Sequence, residues 1–320
     1  MATEVTYTVT TDDGVRIAVH PLGGSGPPLL MVHATGLCGQ VFEPVARLLG
    51  ERFGCVASDQ RGHGQSGRPA GGDYSWSGFA LDVLAVVDGL KLEGPKLEGP
   101  KLEGPVLEGP VLEGPNLERP VALGHSSGAT ALVLAELARP GTFGGLWCYE
   151  PALFGVHDNA RLADQARGLA AGARRRREVF GSRRDARERW AAKAPFSSFA
   201  PAALDAYVDG GLEDLPDGWV RLRCRPEDEA RIYEAGGGHD AWDRLGQVTC
   251  PMTVAWGKLS TTFGPEQAQA VAARLPHGGV EAMAGLGHFG PLEDPALVAE
   301  ALARDLGRHV GRDLGGVERR

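Results

Sequence analysis

The sequence predicts an α/β protein with a mostly parallel sheet, helices on both faces of that sheet, and a helical cap inserted into it. First, short apolar runs alternate with helical stretches up to residue 151 and again towards the end of the chain. This alternation is typical of a parallel sheet covered on both faces. Second, residues 152–242 break the rhythm, because they are rich in Ala, Arg and Gly and contain helical stretches without a clear strand. Third, a G-x-S-x-G pentapeptide lies between a strand signal and a helix signal.

The individual elements follow from the spacing of apolar residues. An alternating pattern predicts two strands joined by a turn at Asp12-Asp13-Gly14, and continuous apolar runs predict buried strands. Before the inserted segment, the predicted strands are 5–9, 15–20, 29–32, 55–57, 121–123 and 146–149, and the predicted helices are 41–49, 79–90 and 129–138. After it, the predicted strands are 252–256 and 280–283, and the predicted helices are 265–275 and 295–307.

These elements predict a core in two parts, residues 1–151 and 243–320, separated by the cap segment, residues 152–242. Within the first part, residues 91–120 consist of six pentapeptides: KLEGP three times, VLEGP twice and NLERP once. Proline at every fifth position removes an amide donor and prevents a continuous helix. We expect a surface loop enlarged by tandem repetition, because extra loop length costs little closure entropy. A binding arm is the alternative.

Composition excludes several classes of partner. The net charge of −8 argues against nucleic acid, since binding phosphates requires a basic surface. The arginines at 174–177 are interpreted as a solvated helix face. No apolar run approaches 18 residues, so no membrane span is predicted. The polar start of the chain lacks a secretory signal, and the five scattered cysteines are typical of reduced thiols, so we expect a cytoplasmic protein. The oligomeric state stays open.

The pentapeptide at 124–128, Gly-His-Ser-Ser-Gly, centres on Ser126. A serine on a sharp turn from strand to helix is raised clear of the sheet, and flanking glycines relieve the crowding in such a turn. The amides at the start of the following helix point towards the serine, where negative charge develops during acyl transfer. Ser126 is therefore a candidate nucleophile. The alternative is a chance turn in a chain with 47 glycines.

The turn His33-Ala34-Thr35-Gly36 follows a predicted buried strand and is a candidate oxyanion loop. It can bring the backbone amide of Thr35 beside that of Ser127, the residue after the nucleophile, so that two donors face one oxygen. The alternative is an ordinary glycine turn in which His33 only braces the loop.

The segment at 59–66, Asp-Gln-Arg-Gly-His-Gly-Gln-Ser, follows the next predicted strand. We interpret it as structural, because Asp59 and Arg61 can connect neighbouring loops and the glycines permit tight turns. His63 is not predicted to be catalytic.

Of the nine histidines, His288 is the candidate general base. It lies in Gly285-Leu286-Gly287-His288-Phe289, directly after the last predicted strand, where glycines leave a histidine free to approach the serine. The order of serine before histidine is also the order found on this type of architecture.

Together, strand-H-x-x-G, D-x-R-G-H-G-x-S, G-H-S-x-G and a late G-x-G-H-F resemble the α/β-hydrolase fold superfamily over residues 29–151 and 251–307. The resemblance implies an eight-stranded sheet with Ser126 as nucleophile, His288 as base, and the amides of Thr35 and Ser127 as the oxyanion hole. It implies no cofactor and no metal. Relatives that open epoxides or displace halide carry aspartate at the nucleophile position, so the serine disfavours those reactions.

The third member of the triad departs from the common pattern of the superfamily. Relatives usually carry G-x-x-D after the penultimate strand, but here Ser260 stands where the aspartate is expected, in Gly257-Lys258-Leu259-Ser260. Some members place the acid after the preceding strand, and that strand ends here in Tyr149-Glu150-Pro151. We therefore predict Glu150 as the acid. The alternative is a structural or cap-hinge role for Glu150, with the acid supplied by Asp240 of the cap segment or Asp243 just after it, or with a functional dyad.

These observations predict a serine hydrolase that acts on a small ester-like molecule through an acyl-enzyme. Thioesters, lactones and carbon–carbon bonds of diketone-like substrates are cleaved by the same machinery and stay as alternatives. A second alternative is a binding protein that has the fold but no activity, for which the absent aspartate at position 260 is the main argument. A third is a cofactor-free peroxidase-like activity.

Overall fold

The computed structural model describes residues 6–89, 119–155 and 159–310. The strands in these ranges are β1 (Tyr7–Thr10), β2 (Arg16–Gly23), β3 (Pro28–Val32), β4 (Gly54–Ser58), β5 (Val121–His125), β6 (Gly145–Tyr149), β7 (Val179–Phe180), β8 (Leu212–Asp214), β9 (Val220–Leu222), β10 (Met252–Gly257) and β11 (Gly278–Met283). The helices are α1 (Glu43–Leu49), α2 (Trp76–Gly89), α3 (Ser127–Ala138), α4 (Asn159–Arg174), α5 (Arg183–Ala191), α6 (Pro201–Gly211), α7 (Pro226–Glu234), α8 (Ala241–Arg244), α9 (Pro265–Ala272), α10 (Gly290–Glu293) and α11 (Pro295–Val310).

An eight-stranded sheet in the order β1-β2-β4-β3-β5-β6-β10-β11 forms the centre of the described molecule. The pairs β1–β2 and β2–β4 are antiparallel, and the remaining pairs are parallel. The predicted mostly parallel sheet of eight strands is therefore confirmed. Because β3, β5, β6, β10 and β11 run in the same direction, the loops that follow them emerge at one edge of the sheet.

Both faces of the sheet are covered, which explains why its central strands are continuous apolar runs. Successive side chains of β3 point to opposite faces. Leu30 and Val32 pack into a cluster that includes residues of α2 and α3, whereas Leu29 and Met31 pack into a second cluster with residues of α1 and α11. All five residues of β3 are buried, as are those of β4, β5 and β6.

The cap segment differs from the sequence prediction, which gave it helices and no strand. Besides α4, α5, α6 and α7, it contains a small antiparallel sheet in the order β7-β9-β8. These strands are only two or three residues long, which is too short for a period-two pattern to be recognised. Trp190 and Tyr207 of this segment belong to the same apolar cluster as Met31 of the central sheet.

Some predictions concern residues outside the described ranges. The pentapeptide loop predicted at 91–120 lies there apart from Arg119 and Pro120. Val5 of the first predicted strand and Leu90 of the predicted helix at 79–90 also lie there. In the described part of the chain, every helix is too short or too polar to cross a lipid bilayer. The five cysteines are buried free thiols.

Candidate active site

Ser126 lies at the turn between β5 and α3, where the backbone takes an unusual conformation. Its φ is 51° and its ψ is −116°, a region that residues with side chains rarely adopt. The strain is held by hydrogen bonds on both sides: Ser126 N donates to the carbonyl oxygen of Tyr149 at 2.9 Å, and Thr130 N donates to the carbonyl oxygen of Ser126 at 3.1 Å. The side chain of Ser126 is only partly buried.

Close packing explains the two glycines that flank this serine. A Cβ atom at Gly124 would lie 2.3 Å from the Cα atom of Ala129 at the start of α3. A Cβ atom at Gly128 would lie 2.2 Å from the carbonyl oxygen of Val32 at the end of β3. Both distances are shorter than van der Waals contact, so the turn requires glycine at each position.

Glu150 follows β6 and shares the unusual backbone of Ser126. Its φ is 45°, and in the described ranges Ser126 and Glu150 are the two residues other than glycine with a positive φ. The amide of Glu150 donates to the carbonyl oxygen of Ala255 in the neighbouring β10 at 2.9 Å. Backbone conformations of this kind cost energy and persist only where the surrounding structure holds them in place. They cluster at functional sites.

The carboxylate of Glu150 is fully buried and bonded to the imidazole of His288. The distance from Oε2 to His288 Nδ1 is 2.6 Å. Three further donors come from the end of β10 and the loop after it: Gly257 N to Oε1 at 3.0 Å, Ser260 Oγ to Oε2 at 2.8 Å and Thr262 Oγ1 to Oε2 at 3.2 Å. A buried carboxylate is costly without such partners, and this set satisfies both of its oxygens.

This arrangement determines the tautomer of His288. Because Nδ1 faces the carboxylate, Nδ1 carries the ring proton and its N–H donates a hydrogen bond to Glu150 Oε2. This leaves Nε2 as an acceptor. Among the described residues, neither His288 Nε2 nor Ser126 Oγ has a hydrogen-bond partner. Catalytic hydrogen bonds often form or shorten only when substrate is bound.

Three residues hold the loop that carries His288. The ring of His125 is buried and donates from Nε2 to the carbonyl oxygen of His288 at 2.8 Å. Tyr149 Oη donates to the carbonyl oxygen of Gly287 at 2.7 Å, and the amide of Gly287 donates to Glu293 Oε2 at 2.6 Å. The loop is therefore fixed by β5, β6 and α10 together.

Thr35 and Ser127, the two predicted oxyanion residues, lie next to each other. Thr35 Oγ1 donates to Ser127 Oγ at 3.0 Å, and Gln60 Nε2 approaches the same oxygen at 3.4 Å. Ser127 is the first residue of α3, so its amide has no partner within the helix. Within the described chain, the amide of Thr35 donates to no protein acceptor either. Both amides are thus available to a ligand.

His33 and His63 brace the neighbouring loops as neutral rings. His33 bonds to the carbonyl oxygen of Ala34 through Nδ1 and accepts the amide of Gln60 at Nε2. His63 bonds to a carbonyl oxygen through Nδ1 and accepts the amide of Gly36 at Nε2, 2.9 Å away. Burial lowers the pKa of His33 to about 3 and that of His63 to about 4, so both rings are uncharged at neutral pH.

Asp59 and Arg61 connect loops, as their pattern predicts. Asp59 Oδ1 accepts the amide of Gly39 at 2.7 Å, and Oδ2 lies 2.8 Å from His20 Nε2. Burial alone raises the pKa of Asp59, but the interactions with His20 and Gly39 outweigh it and lower the pKa to about 2. Arg61 is buried and forms a bidentate pair with Asp82.

In the described ranges, neither of the alternative acids proposed from sequence forms a hydrogen bond or ion pair with His288. Asp240 is exposed and pairs with Arg244 at 3.4 Å, and Asp243 is also exposed. The sequence did not indicate a role for Thr262, or a bonding role for Ser260 at the position where relatives carry aspartate. Both hydroxyls donate hydrogen bonds to the carboxylate of Glu150. Thr262 carries no sequence signal, and Ser260 is marked only as a departure from the G-x-x-D pattern, because both meet Glu150 across neighbouring strands.

An open cleft of about 490 Å³ lies elsewhere, between the loop at 72–76 and α7. It contains none of the predicted site residues and no bonded acid–base pair, so we place the candidate site at Ser126. The described residues include no cluster of three or more His, Cys, Asp or Glu side chains suited to a metal ion.

Comparison with known proteins identifies the family to which the chain is similar. A sequence profile described as "Alpha/beta hydrolase family" matches residues 29–301. The chain is 41% identical over 64 residues to 2-(acetamidomethylene)succinate hydrolase from Mesorhizobium japonicum, a match that covers 20% of this chain and 23% of that protein. The similarity thus spans less than a quarter of the length of that relative.

Solved structures match over nearly the whole chain. The structure of E-2-(acetamidomethylene)succinate hydrolase superposes with a TM-score of 0.75 at 21% identity, covering 95% of this chain and 100% of the other. A thermophilic esterase from Thermogutta terrifontis has a TM-score of 0.66 at 19% identity, covering 96% and 99%. Identities this low show a shared fold and leave the activity to be argued from the site.

Proposed function

Because the chain belongs to the alpha/beta hydrolase family, we propose that it is a serine hydrolase that cleaves an ester-like bond of a small molecule. The observation that carries the proposal is the buried bond of 2.6 Å between Glu150 and His288, at the sheet edge where Ser126 occupies its strained turn. An acid, a base and a nucleophile on adjacent loops are the parts that acyl transfer requires. The hydrolase and esterase names of the similar proteins agree with this reaction class.

The proposed reaction begins with attack of Ser126 Oγ on the substrate carbonyl while His288 Nε2 takes its proton. The imidazolium that forms is stabilised by the carboxylate of Glu150, which also holds the ring orientation. The amides of Thr35 and Ser127 donate to the oxyanion. His288 then returns the proton to the leaving alcohol, and a water activated by the same ring hydrolyses the acyl-enzyme.

Aromatic rings beside the base support an apolar group on the substrate. Phe289 packs against His288 with ring centroids 5.0 Å apart, and Phe199 of the cap segment contacts Phe289 at 5.3 Å. Phe196, which is only partly buried, continues the series at 5.3 Å from Phe199. Such rings favour an apolar acyl or alcohol part, whereas the natural substrate is a question for assay.

The contacts of Ser260 bear on the alternative of a binding protein without activity. The main argument for that alternative is the missing aspartate at position 260, but Ser260 Oγ lies 2.8 Å from Glu150 Oε2 and supports an acid supplied by β6. An inactive descendant would be under no requirement to keep both the strained Ser126 and a buried, fully bonded Glu150.

Reaction with a fluorophosphonate tests the proposal directly. The folded protein should form one adduct, located on Ser126 by mass spectrometry, and should hydrolyse a short-chain p-nitrophenyl ester. Ser126→Ala should form no adduct and lose at least about 10³-fold in kcat/KM. Folded wild-type protein that is not labelled would contradict the enzyme proposal. Labelling without turnover of esters, thioesters or lactones would direct attention to carbon–carbon cleavage or peroxidase-like chemistry.

A further inference from the structure

Gly36, in the candidate oxyanion loop, is held on three sides by other parts of the chain. Its amide donates to His63 Nε2 at 2.9 Å. Its carbonyl oxygen accepts a hydrogen bond of 3.0 Å from the hydroxyl of Tyr207, which lies on α6 of the cap segment. A φ of 82° turns the chain sharply at this position, directly after Thr35. The orientation of the Thr35 amide therefore depends on how Gly36 is fixed.

The third side of Gly36 is closed by an ion pair of the cap segment. Arg176 bonds to Glu229 through Nη1. A Cβ atom at Gly36 would lie 2.8 Å from Glu229 Oε1 and 3.3 Å from Arg176 Nη1, so this pair packs directly on the Cα atom of the glycine. Both side chains are largely buried, with 19% exposure for Arg176 and 7% for Glu229. The interpretation of residues 174–177 as a solvated helix face is therefore wrong for Arg176, which lies beyond the end of α4.

Arg176 also fixes the hydroxyl of Tyr207. Its Nη2 donates to Tyr207 Oη at 2.8 Å, so the hydroxyl accepts from the guanidinium and directs its own proton to the carbonyl oxygen of Gly36. The ring of Tyr207 is 1% exposed and stacks on Phe196 with centroids 5.2 Å apart. Burial raises the pKa of Tyr207 to about 12, so the hydroxyl keeps its proton at neutral pH.

From these contacts we infer that Tyr207, Arg176 and Glu229 of the cap segment are positioning residues of the oxyanion hole. They hold Gly36 so that the amide of Thr35 stays directed at the developing oxyanion. The inference rests on the proposed serine-hydrolase function. It gives the cap segment a part in stabilising the transition state, since small displacements of an oxyanion donor weaken catalysis strongly.

The deciding variant is Tyr207→Phe, which keeps the stacked ring and removes the hydroxyl. We expect kcat for a p-nitrophenyl ester to fall about tenfold while KM changes less than about twofold, because the lost interaction acts in the transition state. The Ki of phenylboronic acid, which forms a tetrahedral adduct with serine, should rise by the same factor. If the hydroxyl were purely structural, its loss would lower the melting temperature, and the fall in kcat would not be matched by an equal rise in Ki.

Tyr7→Phe is the matched control, since it removes a phenolic hydroxyl from β1, outside the contacts to Gly36. Its kcat and Ki should equal those of the wild type. If Tyr207→Phe fails to fold, Glu229→Gln decides: a decrease in kcat of twofold or more at unchanged KM supports the inference. An unchanged kcat in the folded deciding variant, with an active wild type, overturns the inference alone. If fluorophosphonate does not label the wild type, the result overturns the proposed function, on which this inference rests.

Discussion

The contact between Glu150 and His288 leads to a quantitative prediction for Glu150→Gln. The substitution keeps the shape of the side chain and removes the charge that faces the imidazolium in the transition state. With charge centres about 4 Å apart and an effective dielectric constant of about 20, the lost attraction is about 4 kcal/mol. That corresponds to a decrease in kcat of roughly 10³-fold, with little change in KM. The assay is steady-state hydrolysis of a short-chain p-nitrophenyl ester at pH 7.5.

Ser260→Ala is the matched variant for the same assay. It retains the charge of Glu150 and three of the four bonds that its carboxylate accepts, from His288, Gly257 and Thr262. We therefore expect a decrease in kcat of less than about tenfold, consistent with the loss of one hydrogen bond to a charged group. Melting temperatures of both variants serve as the folding control. If folded Glu150→Gln keeps kcat/KM within tenfold of the wild type, Glu150 is not the triad acid.

Three further predictions concern stability. Gly128→Ala should lower the free energy of unfolding by about 3 kcal/mol, because its Cβ would meet a carbonyl oxygen of β3 at 2.2 Å. Gly168→Ala should leave the free energy of unfolding unchanged, because a Cβ there has open space. Equal urea midpoints for the two variants would refute the prediction. Asp82→Asn should cost about 3 kcal/mol, because the buried Arg61 would lose its buried charge partner and keep only the more exposed Asp13. A loss below about 1 kcal/mol in urea unfolding would contradict this prediction. The pKa of His63 is about 4 in the folded chain against 6.5 when unfolded. Its contribution to the free energy of unfolding is therefore complete above pH 6.5 and declines by about 1.4 kcal/mol per pH unit as the pH falls towards 4. His63→Gln should show a shallower decline of stability with falling pH, and an equal slope would exclude His63 as the cause of that decline.

The parts of the fold that sequence predicted are those with strong local signals. Buried strands such as β3 are continuous apolar runs, and α3 follows directly from the glycine-rich turn before it. The boundaries moved by a few residues where local geometry decides. The predicted helix at 41–49 begins as a 3-10 turn at Gly39–Phe42, and α1 itself starts at Glu43. The strands of the cap segment have no comparable signal, because two or three residues cannot display a period.

The candidate site shows the same division. Ser126, His288 and Glu150 could be proposed because each follows a strand signal in a recognisable order. The bonds that fix them, such as Thr262 to Glu150 or Tyr207 to Gly36, join residues 112 and 171 positions apart. Such contacts depend on how separate loops pack in three dimensions, and no periodicity or motif in one sequence reports them.

The position of β6 in the sheet has a consequence for the order in which this protein is assembled. One side of β6 pairs with β5, which is synthesised shortly before it, but the other side pairs with β10, about 100 residues later in the chain. At roughly 5–20 residues per second, ribosomes leave that side without its partner for roughly 5–20 s. During this interval Trp147 and Tyr149 lie on a strand with one unpaired edge, and such an edge can pair with another chain and aggregate. The strand that precedes Glu150 thus stays unpaired on one side until β10 has been synthesised.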